Sequence, residues 1–212
     1  MNLLLVAATL PEVQPLLSTL QLDSNAGGKY VGKHFVSVLI TGAGMVPTAF
    51  SLGRHLAVNN YDLAINLGIA GSFDFDLYPG DICLVKEDTF AELGAEDGDD
   101  FLPSDVLNLG SALQSHNPNP EFKLPELKEV SAITVNKVHG HELSIANAIA
   151  RFNPQIESME GAAFFYACNQ SGVNCIQIRS ISNYVERRNR EKWNIGLAIK
   201  NLNTTIINLL HR

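Results

Sequence analysis

Leu3-Leu4-Leu5-Val6-Ala7-Ala8-Thr9-Leu10-Pro11-Glu12 carries an apolar run with no polar alternation, followed at once by a proline and a carboxylate. A strand apolar on both faces belongs in a sheet covered on both sides, whereas a half-solvated strand alternates. Proline is tolerated in the first turn of a helix, and a carboxylate there is favoured by the helix dipole. The stretch therefore reads as a buried strand that delivers the chain into a helix, with Glu12 at the carboxyl end of the strand. A leader peptide or membrane span is the competing reading. It lacks a basic flank, and the apolar run ends too soon for either.

Outward from this unit, short apolar runs alternate with longer helical patterns. Strands are predicted at Leu3–Ala8, Phe35–Thr41, Leu63–Gly68, Ile82–Lys86, Ser131–Val135 and Asn174–Ile181, and helices at Pro11–Leu20, Val46–Asn59, His141–Ala150, Met159–Ser171 and Arg190–Leu210. The alternation predicts an α/β fold with a central, mixed or mostly parallel sheet flanked by helices. With 212 residues and 46% hydrophobic content the chain can bury one sizeable core, so one domain over residues 1–212 is expected. Ser115–Leu127, with three prolines, reads as a surface excursion, and the acidic stretch from Glu87 to Asp100 as a solvated loop. The latter lacks the alternating oxygen ligands of a calcium loop.

A net charge of −7 provides no basic footprint for nucleic acid, and the basic residues are scattered apart from Arg187-Arg188-Asn189-Arg190. No membrane association is expected. Cys83, Cys168 and Cys175 are an odd number in apolar contexts without metal-type pairing, which suits small core residues with reduced thiols in a cytoplasm. His139-Gly140-His141-Glu142 has alternating histidines but no further obvious ligands, so no metal is expected.

Two glycine turns follow predicted strands. Thr41-Gly42-Ala43-Gly44-Met45-Val46-Pro47 opens a helix, where backbone amides can face an anion or a ligand hydroxyl. Pro47 stands where the dinucleotide fingerprint needs its third glycine, so that reading fails. Asn66-Leu67-Gly68-Ile69-Ala70-Gly71-Ser72 lies at the carboxyl end of a strand, the edge at which open α/β sheets bind ligands. A plain turn is the alternative for each.

Functional groups also stand where cores normally avoid them. Glu157-Ser158-Met159-Glu160-Gly161-Ala162-Ala163 places carboxylates at the mouth of an apolar helix, and Arg179-Ser180-Ile181-Ser182-Asn183 ends an apolar strand with an arginine and an amide. A charge such as Glu160 in that position is costly without partners, and sugar hydroxyls would serve. A structural ion pair is the alternative for Arg179.

In order and spacing, the segments Ala8 to Glu12, Gly42-Ala43-Gly44, Gly68-Ile69-Ala70-Gly71, Gly80-Asp81-Ile82, Ser158 to Ala163 and Arg179 to Asn183 resemble the nucleoside phosphorylase and nucleosidase superfamily. Phe90 to Asp97, Thr134 to Gly140 and Ser182 to Arg190 resemble its futalosine hydrolase subgroup, a relative of methylthioadenosine/S-adenosylhomocysteine nucleosidase. The resemblance implies a three-layer fold and hydrolysis of an N-glycosidic bond through an oxocarbenium-like sugar. It implies Glu12 as general base for water, Glu160 as anchor of the ribose hydroxyls with Met159 packed on the sugar, and Arg179 orienting the water and nearby carboxylates. Ala70, Gly71, Val138 and His139 would line the base. No metal or organic cofactor is implied, and a homodimer or higher homo-oligomer is.

The chain departs from the methylthioadenosine nucleosidase pattern at Asn183, where those proteins carry Asp. Adenine offers N7 as acceptor beside an amino donor, whereas hypoxanthine offers N7 and O6, both acceptors. An amide NH₂ at position 183 therefore favours a 6-oxopurine, and an ionised Asp would repel O6. At Ile69 the nucleosidase relatives often have Ser, so the holding of the water differs. No Arg occupies the Gly42-Ala43-Gly44 turn, which disfavours phosphate as nucleophile. Futalosine carries a carboxyphenyl ketone beyond the 5′ position, and Arg187, Arg188 or Arg190 could pair with that carboxylate. The resemblance thus implies release of hypoxanthine from futalosine, leaving dehypoxanthine futalosine, in the alternative menaquinone route. A sister purine nucleosidase of methylthioadenosine/S-adenosylhomocysteine or aminodeoxyfutalosine type, a purine nucleoside phosphorylase and a noncatalytic nucleoside-binding protein are the alternatives.

Overall fold

The computed structural model describes residues 1–24 and 27–211. The elements run β1 (Asn2–Ala7), α1 (Leu10–Leu20), β2 (Lys29–Val31), β3 (His34–Ile40), α2 (Met45–Leu56), β4 (Leu63–Ser72), β5 (Ile82–Phe90), β6 (Gly94–Asp97), β7 (Asp100–Pro103), β8 (Leu113–Ser115), β9 (Lys128–Thr134), α3 (Glu142–Phe152), β10 (Ile156–Ser158), α4 (Gly161–Gln170), β11 (Cys175–Tyr184) and α5 (Ile195–Leu210). A short 3₁₀ turn at Arg190–Lys192 precedes α5.

The main sheet has the order β10-β9-β5-β11-β4-β1-β3-β2 and is mixed. β3, β1, β4 and β11 are mutually parallel neighbours, and β5 runs antiparallel to β11. β10 lies parallel to β9 and also pairs antiparallel with the end of β4, through Ile156 with Ser72 and Glu157 with Gly71. The strands β4, β11, β5, β9 and β10 therefore close into a ring, and the far ends of β4 and β10 are brought side by side.

The two-faced apolar strands are explained by two cores. Leu3, Leu5 and Ala7 of β1 pack with Val13, Leu16, Leu17 and Leu20 of α1 and with Leu202, Ile206 and Leu209 of α5. Leu4 and Val6, on the opposite face, join Leu52 and Leu56 of α2 and Phe164, Phe165 and Cys168 of α4. Phe164 and Phe165 are both fully buried, because α4 is enclosed between the sheet and α2. The architecture is thus α/β, with a central mixed sheet flanked by helices. All three cysteines are buried and unpaired, and burial pushes the Cys83 thiol up to about 12.

Several boundaries differ from the sequence reading for physical reasons. β5 continues through Glu87 to Phe90, so the beginning of the expected acidic loop is strand. Lys86 and Glu87 are exposed but Asp88 is fully buried, with its carboxylate hydrogen-bonded. A charge expected in a solvated loop here marks an internal polar contact. β6 and β7 form a hairpin through Gly98 at φ +65, in the left-handed region. Ser115–Leu127 is an excursion that returns Phe122 to the core beneath His34. β4 and β11 run beyond Gly68 and Ile181 to Ser72 and Tyr184, and these extra residues build the cleft described next.

Candidate active site

Glu12 is fixed from three directions. Its Oε2 accepts from the Thr9 amide at 3.0 Å and the Thr9 hydroxyl at 2.8 Å, and its Oε1 accepts from the Ile69 amide at 3.2 Å. Pro15, inside α1, has no N–H and its ring crowds the preceding turn. The side chain of Asn203 on α5 fills the opening: its Nδ2 donates to the Glu12 carbonyl at 2.8 Å and its Oδ1 accepts from the Leu16 amide at 2.8 Å. One buried amide thus replaces a helical hydrogen bond and ties the turn that carries Glu12 to α5.

Gly68 is where the catalytic candidates meet. A Cβ at this position would overlap the Arg179 guanidinium and lie 3.0 Å from Glu12 Oε1. Glycine is required because two side chains cross the strand backbone there. Arg179 is 1% exposed, and its Nη1 stands 3.9 Å from Glu160 Oε2. The other oxygen of Glu160 accepts from the Gly44 amide at 2.9 Å. Gly44, at φ +98, caps α2, so the glycine turn does face an anion as the sequence suggested; that anion is a side chain of the protein itself. Glu160 is the residue immediately before α4, where the helix dipole also favours it.

Behind Arg179 lies a chain of buried groups that sequence reading missed. Arg179 Nε and Nη2 donate to Gln177 Oε1 at 3.0 and 2.7 Å, Gln177 Nε2 donates to Asp88 Oδ2 at 3.0 Å, and the Thr134 hydroxyl donates to Asp88 Oδ1 at 2.7 Å. Thr134 in turn accepts from the Ala162 amide in the first turn of α4 at 2.8 Å. Burial pushes the Asp88 carboxyl up to about 6, against the lowering effect of its hydrogen bonds and of Arg179. The one sequence signal for this chain was the polar Gln177 two residues before Arg179 in an otherwise apolar strand.

At the other end of the cleft, β11 bulges between Ile181 and Asn183, so the chain does not keep strict alternation and Asn183 is turned toward Gly71. The Ser182 hydroxyl donates to Asn183 Oδ1 at 2.7 Å, and Asn183 Nδ2 donates to the Tyr184 carbonyl at 2.9 Å. The Tyr184 carbonyl can only accept, so it sets which end of the amide is NH₂, and that NH₂ carries a second N–H. His139 is held by Glu157, which accepts from the His139 amide at 3.0 Å and lies 2.6 Å from its Nδ1. Glu157 is 4% exposed, and its side chain lies beside Gly71.

The cleft between these ends has a volume of about 420 Å³, within the range of small-molecule sites. Glu12, Ala70, Gly71, Val138, His139, Met159, Glu160 and Asn183 all line it, and Arg179 stands behind it through Glu160. Of the three arginines considered for a distal carboxylate only Arg188 reaches the wall, with its guanidinium 5.3 Å from the Trp193 ring centroid. Trp193, Ile195 and Ile199 complete an apolar end that the sequence reading left unassigned. Among the described residues no group of three or more His, Cys, Asp or Glu side chains could hold a metal ion. Nor is any helix there long and apolar enough to cross a membrane.

The model of the phosphorylase superfamily matches residues 3–211. The chain belongs to the phosphorylase superfamily. Among superfamily relatives, futalosine hydrolase of Thermus thermophilus is 30% identical over 182 residues, 81% of this chain and 80% of that protein. Futalosine hydrolases of Streptomyces coelicolor and Acidothermus cellulolyticus match at 31% over 152 residues (69% of this chain, 64% of that protein) and 28% over 180 residues (78% and 71%). The chain is accordingly an enzyme, a glycosidic-bond hydrolase of this superfamily. Its fold is shared with futalosine hydrolase of Helicobacter pylori (TM-score 0.80, 16% identity, 99% of this chain and 97% of that one). It is shared also with a mutant methylthioadenosine nucleosidase of the same organism, crystallised with 5′-methylthioadenosine in the active site (TM-score 0.84, 17% identity, 98% and 97%).

Proposed function

We propose that the enzyme hydrolyses the N-glycosidic bond of futalosine, releasing hypoxanthine and dehypoxanthine futalosine, as a step of the alternative menaquinone route. The observation that carries this reading is one cleft lined by Glu12 and Glu160, with the Arg179 guanidinium behind them and beside both, while an amide donor, Asn183, faces the far end. The superfamily's relatives named futalosine hydrolase support the substrate.

In this proposal the sugar lies against Met159, between Glu12 and Glu160. Glu160, held by the Gly44 amide, accepts hydrogen bonds from the ribose hydroxyls. Glu12 takes a proton from the attacking water as the C–N bond breaks and positive charge develops on the sugar. The buried carboxylates nearby stabilise that charge more than water would, because the site is shielded and their positions are fixed in advance. Arg179, 3.9 Å from Glu160, orients the water and the nearby carboxylates. Asn183 donates its second N–H to the N7 and O6 edge of the departing base. The Val138–Gly140 segment and Gly71 border the base, and the apolar wall of Trp193, Ile195 and Ile199 with Arg188 receives the 5′ aryl carboxylate.

Water rather than phosphate is favoured because the phosphate-type arginine is missing from the glycine turn. Arg54, the nearest in sequence, is exposed on α2 and lies over Phe50, 5.5 Å from its ring centroid. A homodimer acting on the small nucleoside in the cytoplasm completes the proposal, with no metal, cofactor or nucleic acid.

The test is chromatographic detection of free base from purified enzyme given futalosine, methylthioadenosine and inosine in turn, without and then with phosphate. Hypoxanthine from futalosine in phosphate-free buffer is expected. Adenine from methylthioadenosine as the main product, or release only with phosphate, would assign the chain to a sister activity.

A further inference from the structure

We infer that Asp88 is a positioning residue of the reaction: through Gln177 it fixes the Arg179 guanidinium over Gly68, and through Thr134 it ties that guanidinium to the start of the helix that follows Glu160. The inference rests on the reading of Arg179 as a group acting at the reaction centre, and assigns a task to the buried carboxylate that the proposed mechanism leaves unused.

The geometry is directional. An amide has one oxygen and one NH₂, so Gln177 can accept from Arg179 only if its NH₂ meets an acceptor on the other side. Asp88 Oδ2 is that acceptor at 3.0 Å, and its other oxygen is held by Thr134 at 2.7 Å. With Asp88 ionised, every donor in the chain from Arg179 to Asp88 faces an acceptor. With a proton on Oδ2, two donors would face each other. Gln177 would then have to reverse, turning its NH₂ toward an arginine that has no acceptor capacity. The groups are closely packed: a Cβ on Gly161 would overlap both Asp88 Oδ2 and Gln177 Oε1. Asp88 and Gln177 are 0% exposed, so water cannot replace a missing partner.

The charged groups facing Asp88 are Arg179 on β11, which favours its ionisation, and Glu160 before α4, which opposes it; burial is the largest influence and raises the carboxyl to about 6. Activity should therefore fall as pH drops through this region. The stability effect has the opposite sign. A carboxyl whose folded pKa lies above its ordinary 3.8 binds more protons folded than unfolded between those values. Its contribution to stability thus improves as pH falls from 7 toward 4. Loss of activity on acidification would then coincide with a gain in this residue's stability term, a combination that unfolding cannot produce.

The experiment is a double-mutant cycle with Asp88→Asn and Arg179→Ala, read as kcat and KM on the nucleoside that the native enzyme hydrolyses best, with folding followed by circular dichroism. Asp88→Asn is expected to lower turnover at least about tenfold while KM changes less than about threefold. The same change made in Arg179→Ala should bring no further loss. Equal losses in both backgrounds would overturn the relay, since Asp88 would then act independently of Arg179. An Arg179→Ala enzyme as active as the native one would overturn the role of Arg179 itself, and the relay with it. Should Asp88→Asn fail to fold, Thr134→Val supplies the decision. It removes one hydrogen bond that favours the ionised carboxyl, so the acid limb of kcat should move to higher pH, and an unmoved limb would overturn the inference.

Discussion

The two ends of the cleft are built by different means. At the proposed sugar end, Glu12 and Glu160 stand at helix starts, and Arg179 and Asp88 within β11 and β5. They are bound to backbone amides and buried side chains, and glycine at position 68 leaves just enough room for two of them. At the base and 5′ end the walls are formed by the Val138–Gly140 segment and by the stretch from Glu186 to Trp193. Val138 is 40% exposed there, and Arg188 is held chiefly by an aromatic ring. In the proposed reaction, groups that must be in place before charge develops sit on the sheet and the helix starts, and groups that would choose the substrate sit on segments that can vary without disturbing it.

The comparison can be broken by substitutions at each end. Glu12→Gln preserves shape and removes the proposed base, and should lower kcat by about 10²–10⁴-fold with the melting temperature nearly unchanged, measured by steady-state kinetics and thermal unfolding. A fall of less than about tenfold would move the base function elsewhere. Gly68→Ala should cost almost as much activity, because its Cβ meets the Arg179 guanidinium, and should also destabilise by about 1–3 kcal/mol in denaturant titration. A fully active Gly68→Ala enzyme would show that the guanidinium does not need its place above the strand. Asn203→Leu attacks the same end from α5 by orphaning the Glu12 carbonyl and the Leu16 amide. A loss of about 2–4 kcal/mol of stability is expected, from two buried backbone groups left unpaired.

At the selective end smaller effects with a different signature are expected. Asn183→Asp should shift the ratio of kcat/KM for the hypoxanthine nucleoside over its adenine analogue by about tenfold or more toward adenine. An unchanged ratio would refute the assignment of Asn183 to the 6-oxo edge. Arg188→Ala should raise KM for futalosine about threefold to tenfold, and leave kcat and the turnover of nucleosides lacking the carboxylate alone. If kcat falls instead, the exposed arginine belongs with the catalytic group and the division between the two ends fails.

Much of the sugar end was legible because its residues break local rules. Glu160 before an apolar helix, Arg179 in an apolar strand and two glycines at a strand end are each anomalous for a core, and such anomalies collect at functional sites. Asp88 was illegible for the opposite reason: it lies among Glu87, Glu92, Glu96 and Asp97, where acidic residues look like ordinary solvated surface. Only the continuation of β5 turns it inward. Glu157 was visible in the motif, yet its partner His139 lies 18 residues away and meets it only because β10 closes the ring. Asn203, in a helix that reads as amphipathic cover, gave no sign of completing α1 across 191 residues.

The sequence by itself determined that strands apolar on both faces require helices on both sides, and that carboxylates, an arginine and an amide were placed against the grain of their surroundings. These follow from local pattern, since burial and charge are properties of single residues and their neighbours in the chain. The tertiary structure alone decided which of those groups touch. Closure of β10 onto β4 brings Glu157 to His139 and Gly71, the crossing at Gly68 joins Glu12 to Arg179, and the bulge at Ser182 turns Asn183 toward Gly71. Such contacts depend on sheet register and on space between distant segments, quantities that no local pattern encodes.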